Sequence, residues 1–141
     1  ACLLYPIVAA KLHEEFISKG ETPHLGDIIL AVGTVVKENL TTAFHHIPRR
    51  ITTITTFILT TQYRLTPLSG KRHHRPKIVQ HKEFSLALDF LKIRRLVDPT
   101  LAEAVENWKV HHHKERHHHK ERYAPTTDSD THLEHESGLN S

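Results

Sequence analysis

Ile51-Thr52-Thr53-Ile54-Thr55-Thr56-Phe57-Ile58-Leu59-Thr60-Thr61 decides the fold class. Its isoleucines and threonines are β-branched, which favours a strand. Its spacing favours a helix: Ile51, Ile54, Phe57, Ile58 and, further on, Leu65 fall on one helical stripe. No other stretch offers a strand for it to pair with. The helix reading prevails, with Thr52 or Thr53 as the cap and an end before Pro67.

Toward the N-terminus the pattern is also helical. Leu3, Leu4, Ile7, Val8, Leu12 and Phe16 recur at helical spacing, and Gly20 follows as a C-terminal cap, which predicts a helix ending near Lys19. Thr22 then offers a capping hydroxyl and Pro23 suits a first helical position. Leu25, Ile28, Ile29, Val32, Val35 and Val36 form the stripe of a second helix. Residues 1–40 thus read as a helical hairpin. Pro48 disfavours helix at Ile47 and separates the hairpin from the threonine-rich helix.

Toward the C-terminus, residues 67–76 form a basic loop containing Gly70-Lys71-Arg72-His73-His74-Arg75. Phe84, Leu88, Leu91 and Leu96 mark an amphipathic helix over 81–97. Asp98-Pro99 opens another, carrying Leu101, Ala104, Val105 and Trp108. The expected fold is all-α: a body of five to six helices over residues 1–110, then a His-rich and acidic tail over 111–141 that is largely disordered. Residues 111–122 repeat His-His-His-Lys-Glu-Arg twice, a composition that lets the last helix run on to Tyr123 before Pro125 stops it. Beyond it the chain is rich in Ser, Thr, Asp and Glu and offers almost nothing apolar to offset its ordering entropy.

Composition narrows the function. A chain of 141 residues fits one domain. Its single cysteine, Cys2, excludes a disulfide framework or a CxxC metal motif, and it sits on an apolar face that suggests core packing. The longest apolar run, residues 28–36, is about half a bilayer span. Without a secretion signal, a cytoplasmic setting is expected and no membrane partner. A chain opening on Ala1 with no Met is expected to be a piece of a longer protein.

Charge is segregated. Residues 1–40 carry net −2, residues 41–96 hold eleven Lys and Arg against two Asp and Glu, and residues 97–141 carry net −4. The basic middle suggests a polyanionic partner. Arg49 and Arg50 follow a proline at an element boundary. Arg64 lies one helix later, Lys71, Arg72, Arg75 and Lys77 occupy the loop, and Lys82, Arg94 and Arg95 follow. Arginine suits phosphate because its planar fork donates two hydrogen bonds to one group. Phe44, Tyr63, His73 and His74 are interleaved and offer rings for stacking on bases, although Phe44 alone reads more simply as core. No helix resembles a major-groove reader, so sequence-specific DNA is not an expected partner. Two metal signals are set aside. The histidine tract has the look of repeat expansion, although His113 and His117 share a helix face. Asp128-Ser129-Asp130 has the spacing of a two-metal site without a flanking strand or phosphate-binding turn. No metal site and no catalytic residue are assigned to the chain.

Several short motifs follow one another in order: Leu4-Tyr5-Pro6-Ile7, Ile47-Pro48-Arg49-Arg50-Ile51-Thr52, Gln62-Tyr63-Arg64-Leu65, Gly70-Lys71-Arg72, His81-Lys82-Glu83-Phe84 and Ala87-Leu88-Asp89-Phe90-Leu91, with Arg94 and Trp108 beyond. Their order resembles the C-terminal half of the bacterial poly(A) polymerase I family, which shares a superfamily with the CCA-adding tRNA nucleotidyltransferases. The resemblance covers roughly residues 1–110. It implies a parent enzyme that adds AMP units from ATP to the 3′ ends of single-stranded RNA. ATP and Mg2+ would be used by a catalytic head upstream of Ala1, so this piece alone would be inactive and hold no cofactor. Arg49, Arg50, Arg64, Lys71, Arg72, Arg75, Lys77, Lys82, Arg94 and Arg95 would neutralise RNA phosphates. The sequence leaves two alternatives open: an all-α protein-interaction or scaffold module with a basic surface, and a metal-buffering histidine protein.

Overall fold

The threonines of the deciding segment are accommodated in a helix in the computed structural model of the chain, which describes residues 1–68 and 77–124. Five α-helices follow in order: α1 (Tyr5–Glu15), α2 (Leu25–Ala43), α3 (Arg49–Leu65), α4 (Phe84–Val97) and α5 (Ala102–Arg122). Short 3-10 turns at Ile17–Lys19, Lys77–Gln80 and Pro99–Leu101 link them. There is no strand among the described residues, so the all-α expectation holds.

Helix α3 answers its β-branched composition from within. The Thr53 hydroxyl donates to the Arg49 carbonyl at 2.9 Å, and Thr66, just past the helix, donates to the Gln62 carbonyl at 2.9 Å. Such back-bonding gives a helical threonine a partner. The helix starts at Arg49, earlier than a Thr52 or Thr53 cap would place it, with Pro48 as the residue before it. Its buried face also differs from the isoleucine stripe. Leu59, Thr61, Gln62, Tyr63 and Leu65 are buried, while Ile51 is 52% exposed. The reason is position. The C-terminal half of α3 is covered on more than one side, so apolar periodicity no longer reports which residues are inside.

Two apolar cores meet α3. The first joins Leu4, Val8 and Leu12, Ile28, Ala31, Val32, Val35 and Val36 from α2, and Leu59 and Tyr63 from α3. The second joins Leu65 to Ile78 and Val79, to Phe84, Leu88 and Leu91 of α4, and to Val105 of α5. Several expectations in the hairpin need correction. Leu3 and Ile7 are exposed, so α1 buries only Val8 and Leu12 behind Leu4. Leu25 and Ile29 stay exposed, because Ala31, outside the predicted stripe, is buried and shifts the inner face of α2 to its side of Val32 and Val35. Cys2 is exposed, since Leu4 is the first side chain of that segment to enter the core.

Helix ends follow local chemistry. The first α-helix stops at Glu15, and a 3-10 turn completes the segment to Gly20, which takes φ 74°, a left-handed conformation that costs glycine little. His24, rather than Thr22, precedes α2, and its backbone N–H donates to the Asp27 carboxylate at 3.0 Å. Asp98 accepts the Thr100 N–H at 3.1 Å, anchoring the turn before α5. That last helix includes the whole duplicated hexapeptide, so the boundary expected near residue 110 falls inside it. Leu96, expected on the core face of α4, is 82% exposed at its last turn, beyond the reach of the second core.

Candidate nucleic-acid interface

The second half of α5 projects past the body and forms one wall of a cleft. The opposite wall is the 3-10 turn at 77–80 and the start of α4. Val79, Gln80, His81, Lys82 and Ser85 face His112, Glu115, Arg116, His119, Arg122 and Tyr123 across a volume of about 1030 Å³. Each wall is fixed by packing from below. Phe84 is fully buried and lies 5.3 Å from the His112 ring and 6.0 Å from the Trp108 ring, measured between centroids. The Gln80 amide donates to the Glu115 carboxylate at 3.3 Å, tying the two walls together. The His81 ring stacks on Phe57 at 3.9 Å and accepts the Glu83 N–H on Nδ1, which holds the loop that presents Lys82.

The cleft is cationic. Lys82, Arg116 and Arg122 have no carboxylate within ion-pair distance among the described residues. Partial burial depresses the pKa of His112, and the neighbouring Arg116 and Lys92 charges add to the effect. Tyr123 is exposed at the rim with His119 against it at 4.8 Å, edge on. Charged donors to bind phosphate and an exposed ring to stack on a base thus stand in one place.

A model of the polymerase A arginine-rich C-terminus matches residues 20–137 of the chain. The chain belongs to this family. No curated protein and no solved structure matches it.

Within this poly(A) polymerase C-terminal region, several of the short motifs quoted from the sequence turn out to be joints. Gln62 is fully buried; its amide nitrogen donates to the Ala87 carbonyl at 2.9 Å and its oxygen accepts from Arg94 at 3.2 Å. Arg94 also donates to Thr66 at 3.1 Å, and its guanidinium lies 4.6 Å above the Tyr5 ring. Tyr5 stacks on Tyr63 at 6.0 Å and meets Phe90 edge-on at 5.6 Å. Trp108 donates from Nε1 to the Leu65 carbonyl at 3.1 Å. The motifs at 62–65, 81–84 and 87–91 therefore bind α3, α4 and α5 to one another.

The sequence-predicted phosphate residues divide accordingly. Arg49 and Arg50 are exposed in the first turn of α3. Arg64 is exposed at the other end, and at 1.5 Å per residue the helix separates it from Arg50 by about 21 Å along the axis. Lys77 opens the 3-10 turn and Lys82 lies in the cleft. Arg94 is drawn into the interhelical joint, and Arg95 faces Glu106 at 3.5 Å. Lys71, Arg72, Arg75, His73, His74 and the Asp128-Ser129-Asp130 spacing lie outside the described residues.

Of the rings set aside for stacking, Tyr63 is buried. Burial, with the Tyr5 hydroxyl nearby, pushes its pKa far up against the opposing Arg94 charge. Phe44, expected in the core, is 58% exposed, because it follows the last turn of α2 in extended conformation.

Sequence reasoning missed Arg116, Arg122, His119 and Tyr123. The signal was present: His112, Arg116, His119 and Tyr123 recur at steps of three and four and share a helix face. Reading the hexapeptide as low complexity hid it. Among the described residues no group of three His, Cys, Asp or Glu could hold a metal ion, although the His113 and His117 rings approach to 4.4 Å. No described helix is long and apolar enough to cross a membrane.

Proposed function

We propose that this chain is the RNA-holding C-terminal region of a polynucleotide adenylyltransferase that adds AMP from ATP to RNA 3′ ends. The observation that carries the reading is the cleft, where Lys82, Arg116 and Arg122 have no carboxylate partner among the described residues and stand beside an exposed Tyr123, in a chain of the poly(A) polymerase family. Phosphates of a single strand would lie along the cations and a base would stack on Tyr123. Arg49, Arg50, Arg64 and Lys77 would extend the positive surface, and Lys71, Arg72 and Arg75, outside the described residues, are proposed for the same role from the sequence. Arg49 and Arg50 support this role. Cations in the first turn of a helix oppose its macrodipole, so they do not serve the stability of α3. Arg94 acts within the body, while Arg95 stays exposed and pairs with Glu106 at the surface.

No step of the reaction is assigned to this chain. ATP, Mg2+ and nucleotide choice belong to the catalytic head, and this piece alone would be inactive. The setting is cytoplasmic and the partners are RNA 3′ ends and the head. The test is binding of a fluorescent single-stranded oligo(A) RNA across salt, with heparin as competitor. RNA binding that falls with salt and resists heparin supports the reading. Absence of RNA binding at low salt, or displacement by heparin as readily as charge alone dictates, overturns it in favour of a basic protein-interaction module.

A further inference from the structure

The duplicated hexapeptide sets one pair of histidines a helical turn apart. Within residues 111–122 only His113 and His117 are separated by four positions, because the six-residue period puts the last histidine of the first triplet four before the first of the second. Helix α5 runs unbroken through both, so the two side chains share one face. Their rings stand 4.4 Å apart between centroids, inclined at 68°. Both side chains are exposed, and neither has a carboxylate within ion-pair distance among the described residues. They line a hollow of about 660 Å³ that shares Arg116, His119 and Tyr123 with the cleft.

We propose that His113 and His117 form a two-imidazole site for a divalent transition ion of the zinc class, and that the ion clamps the projecting end of α5. Imidazole is the commonest protein ligand for such ions. Two histidines at i and i+4 on one helix face bind zinc together. A tetrahedral ion about 2.0–2.1 Å from each nitrogen needs the two nitrogens about 3.4 Å apart. The rings reach that separation by turning about side-chain bonds that solvent leaves free, with the backbone unchanged. Two protein ligands leave the remaining positions to water. Arg116 and Lys120 border the hollow and oppose a cation, while Glu121, one turn beyond His117, offsets part of their charge. The site is therefore weak and open, unlike a closed structural zinc centre.

The consequence lies in the helix. Val105 is the only buried residue of α5, and the bond from Gln80 to Glu115 is its last hydrogen bond or ion pair to another element among the described residues. The turns beyond depend on helix propensity and open locally at little cost. An ion held by both rings requires the helical spacing, so it binds the formed turn in preference to the opened one and stabilises it by mass action. At a free ion concentration about ten times Kd, opening of that turn falls about elevenfold. The inference stands apart from the RNA reading, although the clamped turn carries Arg116.

The test uses the full chain with Zn2+ alone at about pH 7.5, where imidazole is mostly neutral, and Mg2+, which prefers oxygen ligands, as the control. His113→Ala and His117→Ala each remove one ligand. His118→Ala removes a histidine of the same repeat from another face. Calorimetric titration is expected to show a tightest Zn2+ event that weakens at least about tenfold in the first two variants, the lower end of what losing even a ligand's supporting partner costs, and stays unchanged in the third. Amide hydrogen exchange over residues 113–118 is expected to slow about tenfold in the parent with Zn2+ at about ten times Kd, and not in His113→Ala. Absence of Zn2+ binding by the parent, or Mg2+ binding of equal strength, overturns the site. Equal weakening in all three variants also overturns it, in favour of ions held by the histidine tract as a whole. Tenfold weakening without slowed exchange supports the site and overturns the clamp.

Discussion

Arg94 donates a hydrogen bond to the side-chain oxygen of Gln62 at 3.2 Å, so a residue of the basic segment is spent on the interior of the fold. Gln62 is fully buried on α3 and also donates to the carbonyl of Ala87 on α4. Together the two side chains tie α3 to α4 where the two apolar cores meet. Any reading of this protein by charge alone would place Arg94 on RNA.

The Arg94→Ala variant is therefore expected to lose about 1.5–3 kcal/mol of stability, the usual worth of hydrogen bonds to a charged group. Urea unfolding checks it. At a salt concentration and temperature where the variant stays folded, its RNA affinity should match the parent chain. A stable variant with weakened RNA binding would return Arg94 to the phosphate-binding set.

Trp108→Phe keeps most of the ring volume and removes the Nε1 donor to the Leu65 carbonyl. The expected loss is about 1 kcal/mol, with any further loss reflecting the unsatisfied carbonyl. Denaturant unfolding with unchanged slope is the check, and undiminished stability would show that the bond contributes nothing net.

His112 makes stability depend on pH. Its pKa in the fold is lowered, chiefly by burial and further by Arg116 and Lys92, so the unfolded chain takes up a proton at a higher pH than the folded one. Its stabilising contribution is complete above the unfolded value of about 6.5 and is lost as pH falls through the folded value. The melting temperature of the parent should thus drop between pH 7.5 and 5.5 more than that of His112→Gln. Parallel curves for the two chains would contradict this assignment.

The fold class was legible because Val8 and Leu12, then Ile28, Val32, Val35 and Val36, and the anchors Phe84, Leu88 and Leu91 recur at helical spacing and are buried, although Leu3, Ile7, Leu25 and Ile29 of the same stripes stay exposed. The inside of α3 was not. Burial of Gln62 and Thr61 depends on covering from more than one side and, for Gln62, on partners 25 and 32 residues away. Sequence periodicity carries no information about either. The site was half legible. Lys82 of the cleft lining stood out by its charge, but its neighbours Arg116, Arg122 and Tyr123 were obscured by a repeat whose composition drew attention away from its helical phase. Phe44, read as core, is exposed at a helix end, whereas Tyr63, which the sequence left open between core and stacking, is covered by α1.

The most direct test of the central claim is the salt dependence of oligo(A) RNA binding by the Lys82→Ala, Arg116→Ala, Arg122→Ala triple variant beside the parent chain. Each phosphate contact contributes about 0.7 to the slope of log K against log salt for a single strand, so the account predicts weaker binding and a slope shallower by about 2. All three side chains are exposed, and the helical circular dichroism of the variant should match the parent. Unchanged affinity and slope in a folded variant would contradict the cleft as the RNA-holding surface.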